Sequence, residues 1–310
     1  MSIIGGYVLD LFLGDPQWRW HPVRFLGRTI EKLEGKLNID KFNKIIAGTI
    51  LLILVVGVTV SCVWVILRLT RAIHTFFFFI VSTISIYFVL SVKALAVEAR
   101  DVKRALEHKD IQMARQNLSM IVGRDTDKLG ESEMVRATVE TVAESIMDGI
   151  VGPLFYVFLG GPALAWAYKA INTLDSMVGY RSERYIRFGM PSAKLDALVN
   201  YIPARITCLL IGIASWPLRK DWFSSFRCGL RYFFKGPAKN SEATEAAMAG
   251  ALGIRLGGPC KYEGKLFNKP YLGENKMSVG PSSINEALKI SFIVSFLMIL
   301  MGVLLKCVLK

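Results

Sequence analysis

The sequence predicts an all-α, polytopic integral membrane protein, and three observations predict it. Uncharged apolar blocks long enough to cross a bilayer recur along the chain. The polar segments between them are rich in helix-forming residues. Hydrophobic residues make up 53% of the 310, and the mean hydropathy of +0.41 exceeds that of ordinary soluble domains.

The blocks set the architecture. Ile45–Leu67 is 23 residues without a charge, and Ile73–Val92 is another 20, with His74 near one end. At about 1.5 Å per helical residue, about 20 residues cross a hydrocarbon core of roughly 30 Å. The short link Arg68–Ala72 makes these two blocks a helical hairpin over 45–92. Two helices apolar on every side suit lipid better than the interior of a soluble protein this small. A third block, Ile290–Leu305, lies between Lys289 and Lys306, whose stems can snorkel to the two interfaces.

Two further blocks are short or broken. Ile150–Tyr168 contains Pro153, Gly160, Gly161 and Pro162, and Ile206–Leu218 is 13 residues between Arg205 and Arg219. Such segments suit re-entrant or cavity-lining helices as well as plain spans. The expectation is three firm spans and two short or broken membrane segments. They belong to one domain over 1–310, with a motif-bearing polar and re-entrant region over 93–289 and a C-terminal span over 290–308. Met1–Leu13 is too short to cross upright. It does not read as a signal peptide, having no basic start and an apolar stretch interrupted by Asp10 and Asp15.

Charge and cysteine content narrow the function classes. The net charge of +13 lies mainly outside the apolar blocks, as expected for cytoplasmic motif loops of a multi-pass cell-membrane protein facing anionic lipid or anionic substrates. No helix-turn-helix, zinc finger or basic-aromatic strand pattern indicates nucleic acid. Cys62, Cys208, Cys228, Cys260 and Cys307 form no CxxC pair, which argues against a zinc site and a disulfide framework.

Chemistry concentrates in the polar segments. Lys93–Asn117 reads as one helix, followed by the turn Val122-Gly123-Arg124-Asp125-Thr126. Ser132 reads as the N-cap of a second helix, Glu133–Met147. Arg136, Glu140 and Glu144 recur there at four-residue spacing, and Asp148 extends the series. Such a face is either a solvated stripe with an Arg136–Glu140 pair, or a site for Mg²⁺ and phosphate. If the block broken at Gly160–Pro162 is a hairpin, its two polar ends emerge on one side. Lys169, Asn172, Asp175 and Ser176 then present a cation, an amide, an acid and a hydroxyl on one face. The same residues could equally cap and pair a helix end. Arg181, Arg184, Tyr185, Asp196, Asn200 and Arg205 form a second polar cluster. Asn240-Ser241, Glu245 and the glycine-rich run to Gly257-Gly258-Pro259 fall in the last large loop. No P-loop, no GxGxxG after a strand and no Gly-x-Ser-x-Gly elbow occurs. Among three histidines only His21, in Trp20-His21-Pro22-Val23-Arg24, is set to face a ligand, and a packing or capping role suits it too.

These segments resemble the CbiB/CobD family of cobalamin biosynthesis, the adenosylcobinamide-phosphate (cobinamide) synthases. The resemblance runs nearly end to end. It rests on Gly14-Asp15-Pro16, His21–Arg24, Val122–Thr126, Val135–Glu144, Asp148-Gly149, Lys169–Tyr180, Asn200–Arg205 and Glu245–Gly253. One loop departs: Gly236-Pro237-Ala238-Lys239-Asn240 stands where the family usually reads like His-Pro-Ser-Pro-Asn. The resemblance implies a membrane enzyme that joins adenosylcobyric acid to (R)-1-aminopropan-2-ol or its O-phosphate through one amide bond. A carboxyl needs activation for this, which implies ATP and Mg²⁺, with the corrinoid as substrate and not cofactor. On that basis Glu140, Glu144, Asp148 and Asp175 are expected to hold the metal. Glu140, Glu144, Lys169 and Asp175 are the candidate catalytic residues. Arg124, Arg136 and Lys169 would face phosphates, and Asn172 and Asn200 the corrin amides. His21, Arg24, Asp125, Ser176, Arg184, Arg205, Asn240 and Glu245 complete the candidate substrate contacts. Other corrin-ring enzymes at the bilayer are possible partners. A corrinoid or anion carrier that uses the broken helices as its path is the alternative function.

Overall fold

The structure, a computed structural model, describes residues 1–16, 18, 21–39, 42–180 and 182–308. Trp20 and Arg181, which two of the motif readings include, lie outside the described residues. In chain order the helices are α1 (Ser2–Leu13), α2 (Pro22–Leu37), α3 (Lys44–Ile73), α4 (Thr75–Tyr87), α5 (Val92–Glu107), α6 (Ile111–Ser119) and α7 (Glu131–Ile146). A π-helical turn, Met147–Val151, leads into α8 (Gly152–Val178), α9 (Met190–Val199), α10 (Tyr201–Ser215) and α11 (Trp222–Phe233). A short 3₁₀ turn, Pro237–Lys239, precedes α12 (Asn240–Leu252), the strands β1 (Arg255–Tyr262) and β2 (Lys265–Gly273), and α13 (Pro281–Val308).

The membrane reading holds by length and composition. Lys44–Ile73, Thr75–Glu107, Glu131–Val178 and Pro281–Val308 are each long and apolar enough to cross a bilayer. Met190–Val199 and Tyr201–Ser215 qualify only when taken together, as a broken span. The surface of α3 fits lipid: Ile46, Ile50, Ile53, Val58, Val65 and Ile66 are all exposed large hydrophobics. The turn after the first span falls at His74, however, and not within Arg68–Ala72. Its extended backbone ends α3, and its Nδ1 accepts from the Phe76 N–H at 3.1 Å, capping α4. A capping side chain at His74 outweighs the two arginines as a helix stop.

The chain divides into two compact units. The first comprises Met1–Ser91, Gly152–Asn200 and Lys306–Lys310. Its core joins α2, α3 and α8 through Leu26, Ile30, Leu51, Val55, Ile171, Leu174 and Val178, with Phe188 filling the centre. Within it, α8 is not one straight rod. Gly160 and Gly161 leave helical geometry, Gly161 at φ 73°, and Pro162 follows. The rings of Tyr156 and Tyr168 stack with centroids 5.1 Å apart. Twelve residues of straight helix would separate them by about 18 Å, so α8 doubles back at the glycines.

The second unit comprises Val92–Val151 and Tyr201–Leu305. Here α7 and α12 supply buried Met134, Val135, Val139, Val142, Ala246, Ala247 and Met248. Three expectations about this unit change. Lys93–Asn117 is two helices, because Lys109 takes a left-handed turn (φ 57°) and Asp110 caps α6 by accepting from the Met113 N–H at 2.9 Å. The second helix starts at Glu131 with Gly130, not Ser132, as N-cap, since Glu133 Oε2 reaches back to the Gly130 N–H at 2.8 Å. The last polar region is not a loop. It is α12 followed by a β-hairpin, the departure from the all-α expectation among the described residues.

Candidate functional site

In the second unit, three motif stretches meet around one buried ion pair. Arg124, from the turn after α6, donates to Glu140 Oε2 on α7, and both side chains are nearly inaccessible. The other oxygen of Glu140 accepts from the Gly257 N–H on β1 at 2.7 Å. Burial alone would lower the Arg124 pKa, but Glu140 outweighs it and leaves it raised, so Arg124 stays a cation. The expected Arg136–Glu140 pair does not form. Arg136 instead lies 3.9 Å from Glu133, one turn back.

Around this pair lie Glu144, Glu245 and Lys269. Glu144, one turn after Glu140, is exposed, and its Oε1 accepts from Ser241 Oγ at 2.8 Å. Glu245, on the same helix as Ser241 and one turn further on, is only 5% exposed. Burial pushes its carboxyl well above the ordinary range, Glu140 and Glu144 push it further, and Lys269 and Arg124 oppose this less strongly. Burial would lower the Lys269 ammonium, but Glu245, Tyr262 and Glu144 together outweigh it and leave it raised.

The β-hairpin closes this cluster, and Asp125 holds the hairpin. Glu263 and Gly264 form the two-residue turn with φ 49° and 75°, as a type I′ turn requires. The Asp125 carboxylate accepts from both their N–H groups, at 3.1 and 2.8 Å, and its own N–H donates to the Lys261 carbonyl at 2.9 Å. Asp125, expected to contact substrate, therefore spends its hydrogen bonds on the turn. Arg205 and Asn240 are likewise engaged within the protein. The Arg205 guanidinium is buried and donates to the carbonyls of Phe233, Lys235 and Tyr201 and to Asn240 Oδ1, tying the end of α11 to the start of α12.

The first unit holds the other candidates. His21 is buried and donates from Nε2 to Asp15 at 2.9 Å, with Phe88 edge-on to its ring. Burial raises the Asp15 carboxyl, but the His21 hydrogen bond and the charges of His21, Lys169 and Arg24 outweigh it and hold it below the usual value. Lys169 and Arg24 thus both act on Asp15. Asp196 organises two amides, accepting from Asn172 Nδ2 at 3.4 Å and Asn200 Nδ2 at 3.1 Å, while Tyr168 donates to Asn200 Oδ1 at 2.8 Å. Ser176 is exposed, with its hydroxyl turned to the Asn172 carbonyl at 2.9 Å, and Asp175 lies against Gly179. Arg184 pairs with Glu34 through two nitrogens at 2.8 and 3.1 Å. The arginine side chain is 64% exposed, so water screens this pair and it adds little to stability.

Within the second unit, Glu140, Glu144 and Asp148 do not form a metal cage. Asp175 belongs to the first unit. Both Glu140 oxygens are taken by Arg124 and Gly257. Among the described residues, no three His, Cys, Asp or Glu side chains are placed to hold a metal ion. The residues present therefore do not fit Mg²⁺ held by protein carboxylates alone.

Sequence reasoning missed Lys269 altogether, and it named Ser241, Asp15 and Asp196 in their motifs without making them candidate site residues. The signal for Lys269 was available: Glu263-Gly264 between two short runs is a hairpin turn, which would have put Lys269 on a strand across from the glycines.

Known relatives match this chain along nearly its whole length. The chain is 44% identical over 312 residues to Cobalamin biosynthesis protein CobD of Clostridium perfringens (strain 13 / Type A), covering 100% of this chain and 99% of that one. It is 41% identical over 307 residues to Cobalamin biosynthesis protein CobD of Citrobacter koseri, covering 98% and 96%. Identity to Cobalamin biosynthesis protein CbiB of Salmonella typhi is 41% over 305 residues, covering 97% and 95%. No solved structure matches. The family described as CobD/Cbib protein matches residues 3–291, which include every motif placed above, and the chain belongs to that family.

Proposed function

We propose that this membrane protein carries out the amide-forming step of cobalamin biosynthesis that yields adenosylcobinamide or its phosphate. The carboxyl of adenosylcobyric acid would be joined to (R)-1-aminopropan-2-ol or its O-phosphate. The observation that carries this reading is the convergence of three family motif stretches, Val122–Thr126, Val135–Glu144 and Glu245–Gly253, on one cluster of acids and cations in the second unit. A cationic group beside carboxylates suits a substrate that bears both an anionic phosphate and a cationic amine. In the first unit, Asn172, oriented by Asp196, offers its amide to the amide-fringed rim of a corrin, with buried Asn200 holding Asp196 in place, and Lys169 and Arg24 offer charge to a phosphate.

A carboxylate does not condense with an amine unaided, so ATP is proposed as the cosubstrate that activates it. Magnesium would accompany ATP, its charge held by phosphate oxygens more than by protein carboxylates, in keeping with the engaged state of Glu140. The motif loops are proposed to face the cytoplasm, where these substrates would be met.

The test is direct. The purified chain in detergent is given adenosylcobyric acid, aminopropanol or its phosphate, ATP and Mg²⁺, and the product is sought by mass. An amide product that depends on ATP supports the reading. No product in detergent, together with corrinoid uptake into sealed vesicles, would favour a carrier instead.

A further inference from the structure

Helix α11 has two unlike faces, and the protein covers only one of them. Ser224, Ser225, Cys228 and Gly229 are its buried residues. Ser225 Oγ donates to the Ala247 carbonyl at 2.9 Å, and a Cβ at Gly250 would strike the Ser224 carbonyl, so this small-residue face lies directly on α12. At about 100° per residue, Trp222, Phe223, Phe226, Leu230 and Phe233 share an arc of roughly 100° on the other side. Phe223 is 64% exposed and Phe234, the C-cap residue, 86%, so no other part of the second unit covers this stripe.

The stripe continues a surface that already meets lipid. Phe226 packs over Gly212 of α10, where a Cβ would meet its ring at 2.6 Å. From there the apolar surface runs along α10 through exposed Leu209 and Ile213 to Trp216, just past its end. Helix α10 is one half of the broken span. At 12 residues α11 is about 18 Å long, too short to cross roughly 30 Å of hydrocarbon. Yet so many contiguous aromatic and aliphatic side chains are not left in water without a partner.

Charge identifies that partner. Arg219, before α11, and Arg231 and Lys235, at and beyond its last turn, are all exposed. The nearby acids are engaged: Asp221 caps α11 by accepting from Ser224, and Glu274 pairs with Arg227. A helix with aromatic and aliphatic residues on one face and cations at its edges suits the headgroup layer of an anionic membrane. Trp216 and Trp222, near its start, are of the type enriched at that level.

We propose that α11 lies flat in the headgroup layer of an anionic leaflet, with its stripe about 5–10 Å into the lipid and Arg219, Arg231 and Lys235 at the lipid phosphates. The proposal does not depend on the amide-forming reading. It does bear on the candidate site, because α12 packs on the face of α11 turned away from the stripe, at a helix spacing of about 8–10 Å. Ser241 and Glu245 on α12 therefore sit at the membrane surface, not at the midplane where a carrier would hold its substrate.

Spin labels test this depth. With the native cysteines replaced by serine, Phe223→Cys and Leu230→Cys each carry a nitroxide in the full chain, reconstituted into phosphatidylcholine vesicles with or without phosphatidylglycerol. Relaxation by oxygen and by a water-soluble nickel chelate gives the depth of each label. In the anionic vesicles both labels should lie about 5–10 Å below the phosphates, and a label at Arg231→Cys should lie at or above them. Without phosphatidylglycerol the two stripe labels should move outward, and replacing Arg219, Arg231 and Lys235 together by glutamine should abolish that difference. Phe234→Cys, just past the helix, repeats the measurement if either stripe variant fails to reconstitute. Stripe labels open to the nickel chelate in both vesicles would place α11 in water, and labels at the bilayer centre would make it a buried segment. Labels hidden from both reagents, with cross-links between chains, would make it a contact between two copies. Each of these results overturns the proposal, as does a lipid dependence that is absent from the parent chain or survives the triple substitution.

Discussion

Arg124 and Glu140 form a buried ion pair whose acid is also held by the backbone N–H of Gly257, so one carboxylate joins the turn after α6, helix α7 and strand β1. Removing one partner leaves a buried charge alone, which typically costs 3–5 kcal/mol, whereas replacing both with apolar residues is often nearly neutral. Arg124→Met should therefore lower the melting temperature sharply. The double variant Arg124→Met with Glu140→Leu should recover much of that stability. Because the Gly257 contact and the cluster's charge are lost, the double variant should still be at least about tenfold slower, or roughly 1.4 kcal/mol in the barrier. Wild-type turnover in the double variant would reduce the pair to a structural rivet.

The doubling-back of α8 predicts a cross-link. With the native cysteines replaced by serine, Tyr156→Cys and Tyr168→Cys within one chain should be joined by a thiol reagent too short to bridge the roughly 18 Å of a straight helix. Failure to cross-link in membranes, where each single cysteine is labelled, would mean a continuous rod. The same geometry predicts that Tyr156 and Lys169 lie on the same side of the bilayer.

Glu245 gives stability a definite pH dependence. Its carboxyl titrates higher in the folded chain than in the unfolded one, chiefly through burial. The folded state therefore holds a proton that the unfolded state releases near the ordinary value of 4.5. The contribution is fully present below that value and is lost as pH rises through the folded pKa. Melting temperature should fall over this interval in wild type and fall less steeply in Glu245→Gln. Parallel slopes in the two proteins would show that the carboxyl does not titrate differently on folding.

The hairpin register slips at Gly258, between Gly257↔Tyr271 and Pro259↔Asn268, and this bulge is testable through its glycines. Gly258→Ala must adopt a left-handed backbone, at about 1–2 kcal/mol, and also displace the Tyr271 ring. Activity should drop more than stability does, since Lys269 is re-aimed while the helices of the unit remain packed. Retained activity with an unchanged melt would mean that the bulge is incidental.

Arg205 offers a control outside the proposed chemistry. Its guanidinium serves four acceptors and lies over the Tyr201 ring at 3.7 Å. A lysine cannot reproduce that planar fork. Arg205→Lys should lose stability, with any loss of turnover following the folded fraction. A folded Arg205→Lys protein without activity would restore Arg205 to the substrate contacts.

The sequence by itself determined the membrane architecture, the break in α8 and the family, because each depends on local features. Uncharged length decides which segments can lie in lipid, Gly160-Gly161-Pro162 cannot continue a helix, and long motifs survive as strings. Tertiary structure alone decided the partners of the charged residues. Spacing along α7 made Arg136 the natural mate of Glu140, yet Arg124, 16 residues away, claims it, because a buried carboxylate gains more from a desolvated guanidinium than from a surface neighbour one turn off. In the same way, Asp125 and Arg205 read as ligand-facing residues but hold a turn and a helix junction. Lys269 drew no notice as one lysine in a basic segment. Pairing two strands 117 residues beyond Glu140 brought it to the cluster, and hydrogen bonds formed at that separation leave no periodicity in the chain.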